Sequence, residues 1–273
     1  MEKEYDLKKL QNTILIIAKE VKRICDKNQI DYTIFGGTLI GAVRHKGFIP
    51  WDDDIDFVMT RNNYEKFLEV CKYDLKSEFQ ILNWNTNNYY GDGFTKILLK
   101  GTKVVEAGKK NVKYLNAIFV DIFPFDNIPD SIWKQKKQKI ITYISIRLLQ
   151  QKDGSKKMYS SRCKKYIYTI VKGLSFLFTH SFLVRICENN MKKYQNSNTK
   201  MLTSIAGYYG YEREKVLSDI FDEYIELPFE DTSFKAIKKY DMYLRQVFGD
   251  YMQLPPVEKR RSHGLEYVDF GKY

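Results

Sequence analysis

Four carboxylates within five residues run straight into an apolar segment: Trp51-Asp52-Asp53-Asp54-Ile55-Asp56 continues as Phe57-Val58-Met59. Residues 55–59 read as a strand. Alternate strand residues share a face, so Asp54 and Asp56 point the same way, and Asp53 points opposite as a supporting group. Two carboxylates on one face repel each other unless a cation lies between them. Mg²⁺ (or Mn²⁺) suits such a pair, since it takes one or two carboxylates and completes its shell with water and substrate phosphates. A solvated turn would not carry its acids into an apolar strand, and the Asp-x-Asp-x-Asp-Gly spacing of a calcium loop is absent. The segment therefore points to a metal-assisted site on a sheet.

A third carboxylate has the same setting. Ala117-Ile118-Phe119-Val120-Asp121-Ile122-Phe123 contains a strand, 117–122, with one acid in it. A buried charge without a partner is costly. A metal shared with Asp54 and Asp56 would supply a partner for Asp121; so would Lys96, on an expected strand at 94–99.

Upstream, Leu7, Leu10, Ile14, Ile17, Val21 and Ile24 step by three and four, the period of an amphipathic helix ending near Asn28. Residues 32–35 read as a short buried strand closed by Gly36-Gly37, with Thr38 as N-cap of a helix over 39–44. Paired glycines between strand and helix let backbone N–H groups approach a phosphate, although most such turns only turn. Further strands are expected at 79–82, and helices at 62–73, capped by Asn62 with Glu65, and at 234–248.

These residues carry a resemblance. Gly-Gly after a strand, Asp-x-Asp on the next strand and a third Asp on a later one resemble the nucleotidyltransferase (polymerase-β-like) fold. The run from Phe35-Gly-Gly-Thr-Leu-Ile-Gly-Ala-Val-Arg-His-Lys-Gly-Phe-Ile-Pro to Trp51-Asp-Asp-Asp-Ile-Asp56 is similar to the signature of the LicD/fukutin family of phosphotransferases. Val120-Asp-Ile-Phe-Pro-Phe-Asp126 and Tyr243-Leu-Arg-Gln-Val-Phe-Gly-Asp-Tyr-Met-Gln-Leu-Pro-Pro256, with Arg260, Arg261 and His263, extend the match; the basic middle of the chain does not. The 17-residue step from Gly37 to Asp54 is longer than in nucleotide-adding relatives, which sets this branch apart.

The resemblance implies a phospho-alcohol, such as phosphocholine, moved from a CDP-alcohol donor to a hydroxyl of a glycan or polyol-phosphate polymer, with release of CMP. Asp54 and Asp56 would hold Mg²⁺ across the donor phosphates. Asp121 would ligate metal, position the acceptor hydroxyl or accept its proton. Gly36, Gly37, Thr38, Arg44, His45, Lys46 and Lys96 become candidates for the donor phosphates, Arg260 and His263 for closing over the site, and Asp52 and Asp53 for supporting it.

The formal charge of +11 is concentrated. Between Trp133 and Cys187 lie 13 basic residues and one acid, Asp153, so the rest of the chain is close to neutral. Inside that segment are the apolar runs 140–149 and 166–186. The second is long enough to span a membrane, but its polar residues recur at helical spacing, as in a helix lying in an interface. Solvated lysines on a packed helical subdomain would explain the same pattern, whereas nucleic acid is disfavoured because no recognition motif accompanies the charge.

Four scattered cysteines and the charged opening Met-Glu-Lys-Glu-Tyr-Asp lead to an expected cytoplasmic setting, peripheral on the inner face of the plasma membrane near a lipid-linked acceptor. The expected class is α/β (α+β): a small mixed sheet carrying the acids within 1–130, a mostly helical basic insertion over 131–200, and 201–273 completing the catalytic part. Two other readings compete, a nucleotidyltransferase that releases pyrophosphate and a non-enzymatic membrane-associated scaffold.

Overall fold

The computed structural model describes residues 5–154, 162–260, 262 and 264–273, without the side chains of 162–168. Helix α1 (Leu7–Lys27) is capped by Asp6, whose carboxylate accepts from the Lys9 N–H at 3.0 Å, and its apolar stripe is buried from Leu10 to Ile24, with Leu7 half-buried. There follow β1 (Thr33–Ile34), α2 (Gly36–His45), β2 (Asp56–Thr60), α3 (Arg61–Asp74), β3 (Phe79–Leu82), β4 (Thr95–Leu99), β5 (Lys103–Glu106) and β6 (Phe119–Ile128). Five of these strands form one sheet in the order β1-β2-β6-β4-β3. Only β2 and β6 run parallel; the other neighbours are antiparallel, so the sheet is mixed.

The insertion is helical: α4 (Ile132–Gln150), α5 (Arg162–Ser175) and α6 (His180–Met191). It has its own apolar cluster of Leu148, Leu149, Leu183, Val184, Cys187 and Met191 around Trp84. The chain then returns to the core. Strand β7 (Met201–Thr203) pairs with the second half of β6 and with β8 (Val216–Leu217). The hairpin β9 (Tyr224–Phe229) and β10 (Thr232–Ile237) is anchored to β1 by the Ile237 N–H donating to Thr33 Oγ1 at 3.0 Å. Helix α7 (Tyr240–Phe248) comes next, and β11 (Leu265–Asp269) pairs with β5.

Several expectations need correction. Helix α2 starts at Gly36 with Phe35 as its N-cap, so Thr38 lies inside the first turn and caps nothing. Strand β2 starts at Asp56, one residue later than expected, and the preceding acids belong to a loop. Helix α3 begins at Arg61 after Thr60; Asn62 instead accepts from Gln195 Nε2 at 2.7 Å. The expected helix 234–248 is half strand and half helix, because Thr232–Ile237 completes a hairpin turned at Glu230 (φ 52°). The apolar run 166–186 breaks before His180, where the helical pieces Thr169–Ser175 and His180–Tyr194 meet at 103°. Among the described residues no single helix is long and apolar enough to cross a membrane.

Candidate active site

Register brings two of the acids together. Asp56 and Asp121 are direct neighbours on the parallel pair β2/β6, and the Asp121 N–H donates to the Ile55 carbonyl at 3.0 Å. On the other side of β6, Lys96 is the register partner of Asp121. The chain thus places a cation and an acid beside one carboxylate before any loop contributes.

The acidic loop is pinned by α1 and α2. Gln11 Nε2 donates to the Asp52 carbonyl at 2.9 Å, and the Tyr5 hydroxyl donates to Asp53 Oδ2 at 3.1 Å. The Asp56 N–H donates to Thr38 Oγ1 at 2.9 Å. The paired glycines explain how the loop can come so close. A Cβ on Gly37 would sit 2.9 Å from Asp52 Oδ2. Gly36 has φ +54°, and its Cβ would press on the Tyr209 ring and hydroxyl at 3.3 Å. Close packing of the acidic loop and of Tyr209 thus accounts for both glycines.

Asp53, Asp54, Asp56 and Asp121 line a cleft of about 420 Å³. Asp53 joins this lining because the strand has not begun at its position, contrary to the expected alternation. Lys96, Glu106 and Lys109 line the same cleft, with Phe119, Tyr208, Tyr209 and Leu265 as its apolar walls. The Lys96 ammonium lies 3.4 Å from Asp121 Oδ1, 3.7 Å from Glu106 Oε1 and 3.1 Å above the centre of the Phe119 ring. Burial pushes the Asp121 carboxyl up to about 6, against the pull of Lys96. Burial acts the same way on Glu106, but the charges of Lys96 and Lys109 outweigh it and hold this carboxyl below its ordinary value. The Tyr209 hydroxyl is raised by burial and by the carboxylates of Asp56, Asp54 and Asp52. Behind the site, Glu214 is buried near Asp56 and Gly36; burial, with a smaller contribution from Asp56, raises its carboxyl to about 8.

The site suits a hard divalent cation. Five carboxylates line the cleft against two ammonium groups, an imbalance that such an ion would offset. Among the described residues no three His, Cys, Asp or Glu side chains already form a metal cage. An ion here would take its remaining ligands from water and from substrate phosphates, the usual habit of Mg²⁺.

The other candidates are placed differently. Thr38 and Asp52 are buried and do not line the cleft. The Arg44 guanidinium donates to the Tyr251 carbonyl at 2.5 Å and to His45 Nε2 at 2.9 Å, and neither residue lines the cleft. Lys46 closes α2 in the left-handed conformation (φ 58°). Arg260 lies 5.2 Å over the Trp51 ring and donates to the Pro255 carbonyl at 2.9 Å. His263 lies outside the described residues. Sequence reasoning missed Glu106, Lys109, Tyr208 and Tyr209. The one local signal was Gly207-Tyr208-Tyr209-Gly210, an aromatic pair between turn residues.

Residues 29–146 match the LicD/FKTN/FKRP nucleotidyltransferase domain. Over 281 aligned positions the chain is 31% identical to the lipopolysaccharide cholinephosphotransferase LicD of Haemophilus influenzae, covering 97% of this chain and 98% of that protein. It is also 29% identical over 108 residues to the uncharacterized protein RP689 of Rickettsia prowazekii, covering 40% of this chain and 39% of that one. The cleft acids Asp53, Asp54, Asp56 and Asp121 all fall inside the matched domain, and the end-to-end similarity takes in the insertion and the C-terminal strands as well. The chain belongs to the LicD/FKTN/FKRP family and is a transferase of phosphate-containing groups.

Proposed function

We propose that the chain transfers phosphocholine from CDP-choline to a hydroxyl of a lipid-linked cell-surface glycan, lipopolysaccharide or a teichoic-acid precursor, and releases CMP. The observation that carries this reading is that Asp54, Asp56 and Asp121 line one cleft, in a chain similar along its whole length to a cholinephosphotransferase.

In this reaction the acceptor oxygen bonds to the phosphorus that bears choline. The bond from that phosphorus to the bridging oxygen breaks, and its electron pair leaves with CMP. Alignment and charge neutralisation dominate such a transfer. Asp54 and Asp56 are the side chains that would hold Mg²⁺ (or Mn²⁺), which when bound neutralises charge on the donor phosphates. Lys96 already gives Asp121 a counter-charge, so we assign Asp121 the acceptor's proton rather than the ion. Tyr5 and Thr38 hold the acidic loop in place through Asp53 and the Asp56 N–H.

CMP release from CDP-choline, with Mg²⁺ and then with chelator, tests the reading directly. Asp54→Ala should lower the rate on the order of 10²–10³-fold. Pyrophosphate release from a nucleoside triphosphate, with no CMP from any CDP-alcohol, would replace it with nucleotide transfer.

The proposal extends to where the enzyme works. Residues 133–187 are read as a peripheral contact with an anionic bilayer. Trp133, Phe176 and Leu177 are 79%, 78% and 73% exposed amid the lysines of that segment, an apolar and basic surface suited to an interface.

A further inference from the structure

The last turn of α4 carries Arg147 and Gln150, and against it runs the stretch Tyr90-Gly91-Asp92-Gly93. Their approach is backbone to backbone: a Cβ on Gly91 would sit 2.7 Å from the Gln150 nitrogen. Two further bonds tie the same stretch to the helical insertion. His180 Nε2, at the start of α6, donates to the Tyr90 carbonyl at 3.1 Å, and Gln150 Nε2 donates to Asp92 Oδ1 at 2.8 Å. Arg147 donates to Gln150 Oε1 at 3.0 Å, which fixes the amide with its N–H side toward Asp92.

From Asp92 the contacts run inward. Its Oδ2 lies 3.5 Å from Lys109 Nζ, and Lys109 lies 3.0 Å from Glu106 Oε2. Glu106 Oε1 is 3.7 Å from the Lys96 ammonium, which stands 3.4 Å from Asp121. Lys96 is 1% exposed and has the Phe119 ring on another side, so Glu106 and Asp121 compete for one enclosed cation. Burial works against the charge on Lys109, and Asp92 and Glu106 together more than offset it. A carboxylate that loses one of two cations pulls harder on the other.

We propose that Gln150 and Asp92 are positioning residues for the transfer: they hold Lys109 against Glu106, so that Glu106 does not draw Lys96 away from Asp121. The last turn of α4 thereby belongs to the reaction centre, although neither residue lines the cleft. The inference rests on the phosphotransfer reading above, in which Asp121 takes the acceptor's proton. Without the Gln150 bond Asp92 turns away, and Lys109 keeps one carboxylate to offset its burial and moves toward water. Glu106 then takes Lys96 as its remaining cation, and Asp121 loses the counter-charge that orients it.

The test measures CMP release from CDP-choline by the native protein, Gln150→Met, Asp92→Asn and the double variant. Alongside it, acetylation of Lys109 by acetic anhydride is read by mass spectrometry against the exposed Lys103. Each single variant should lower kcat about tenfold at an unchanged KM, the cost of a misplaced reacting group. The double variant should lose no more than the worse single one, because both act through one contact chain. Lys109 should be acetylated several-fold faster in all three. A raised KM at unchanged kcat would give Lys109 to donor binding and overturn the assignment. Losses that multiply in the double variant, or Lys109 acetylated as in the native protein, would overturn it too. Gln150 is half-buried at a helix end, so its variant keeps the test open if Asp92→Asn does not fold. The acetylation needs no turnover: a native protein that releases CMP from no CDP-alcohol would count against the transfer reading, and Lys109 would still decide the contact chain.

Discussion

Glu214 shows what one carboxyl in an apolar setting does to the molecule around it. It is almost fully buried, its Oε2 accepts no hydrogen bond, and its carboxyl is raised to about 8 from an ordinary 4.5. The folded state thus holds this proton more tightly than the unfolded chain. The resulting stability is complete below about pH 4.5 and is lost progressively as pH rises through about 8. Glu214→Gln cannot ionise, so relative to the native protein it should gain roughly a few kcal/mol between pH 5 and pH 8.5. Urea unfolding of both proteins at the two pH values checks this; a constant difference between them would exclude the buried ionisation. Arg61 and Asp126 illustrate the opposite solution, two charges 3% and 1% exposed that meet through paired bonds of 2.6 and 2.8 Å. At this scale Asp56 and Asp121 are legible because acids inside apolar strands need a chemical reason, whereas Asp54 reaches the cleft from the loop before the strand. Glu106 and Lys109 are not legible, since each sits in an ordinary polar stretch and gains meaning only when β5 and β11 fold beside the cleft.

Between α2 and residues 47–49, which lead into the acidic loop, the contact is backbone on backbone. A Cβ at Gly41 would run into the Gly47 carbonyl oxygen, and neither element can move aside without displacing the loop that carries Asp52 to Asp56. Gly41→Ala should therefore cost about 1–3 kcal/mol and depress CMP release along with stability. Gly173→Ala is the control: on α5 an added Cβ meets nothing within 4 Å, and the helix should be unaffected or gain about 0.5–1 kcal/mol. Thermal unfolding of the two variants reads the contrast, and equal melting temperatures would refute the packing role of Gly41. Elements with a strong period of their own were readable from sequence, as α1 and the strands at 79–82 and 95–99 demonstrate. The hairpin β9/β10 reads in part as helix because Phe234, Ile237 and Leu244 also fit a helical period, and only the pairing with β9, with the Ile237 N–H bonded to Thr33 Oγ1 on β1, decides for strand. Short strands such as β7 and β8, of three and two residues, have too few side chains to show any period.

For the whole molecule, the apolar and basic surface of the insertion predicts a salt-sensitive affinity for anionic bilayers. The full chain should float with vesicles containing phosphatidylglycerol at low ionic strength and detach as salt rises. Replacing Phe176 and Leu177 together by serine should reduce flotation without changing CMP release in solution. No flotation at low salt, or flotation unchanged by the double replacement, would refute the membrane contact. In the insertion α4 and α6 share a buried cluster, while Phe176 and Leu177 between α5 and α6 are exposed.

Strand β6 joins these two parts. Its first half lies in the main sheet with Asp121, its second half pairs with β7 and holds Asp126, and α4 departs four residues after its end. Seven residues of extended chain, about 23 Å, separate Asp121 from Ile128 at the end that leads to the helices. The strand is a girder shared by two workplaces. A shift in its register would misalign the cleft carboxylate and the root of the helical insertion at once.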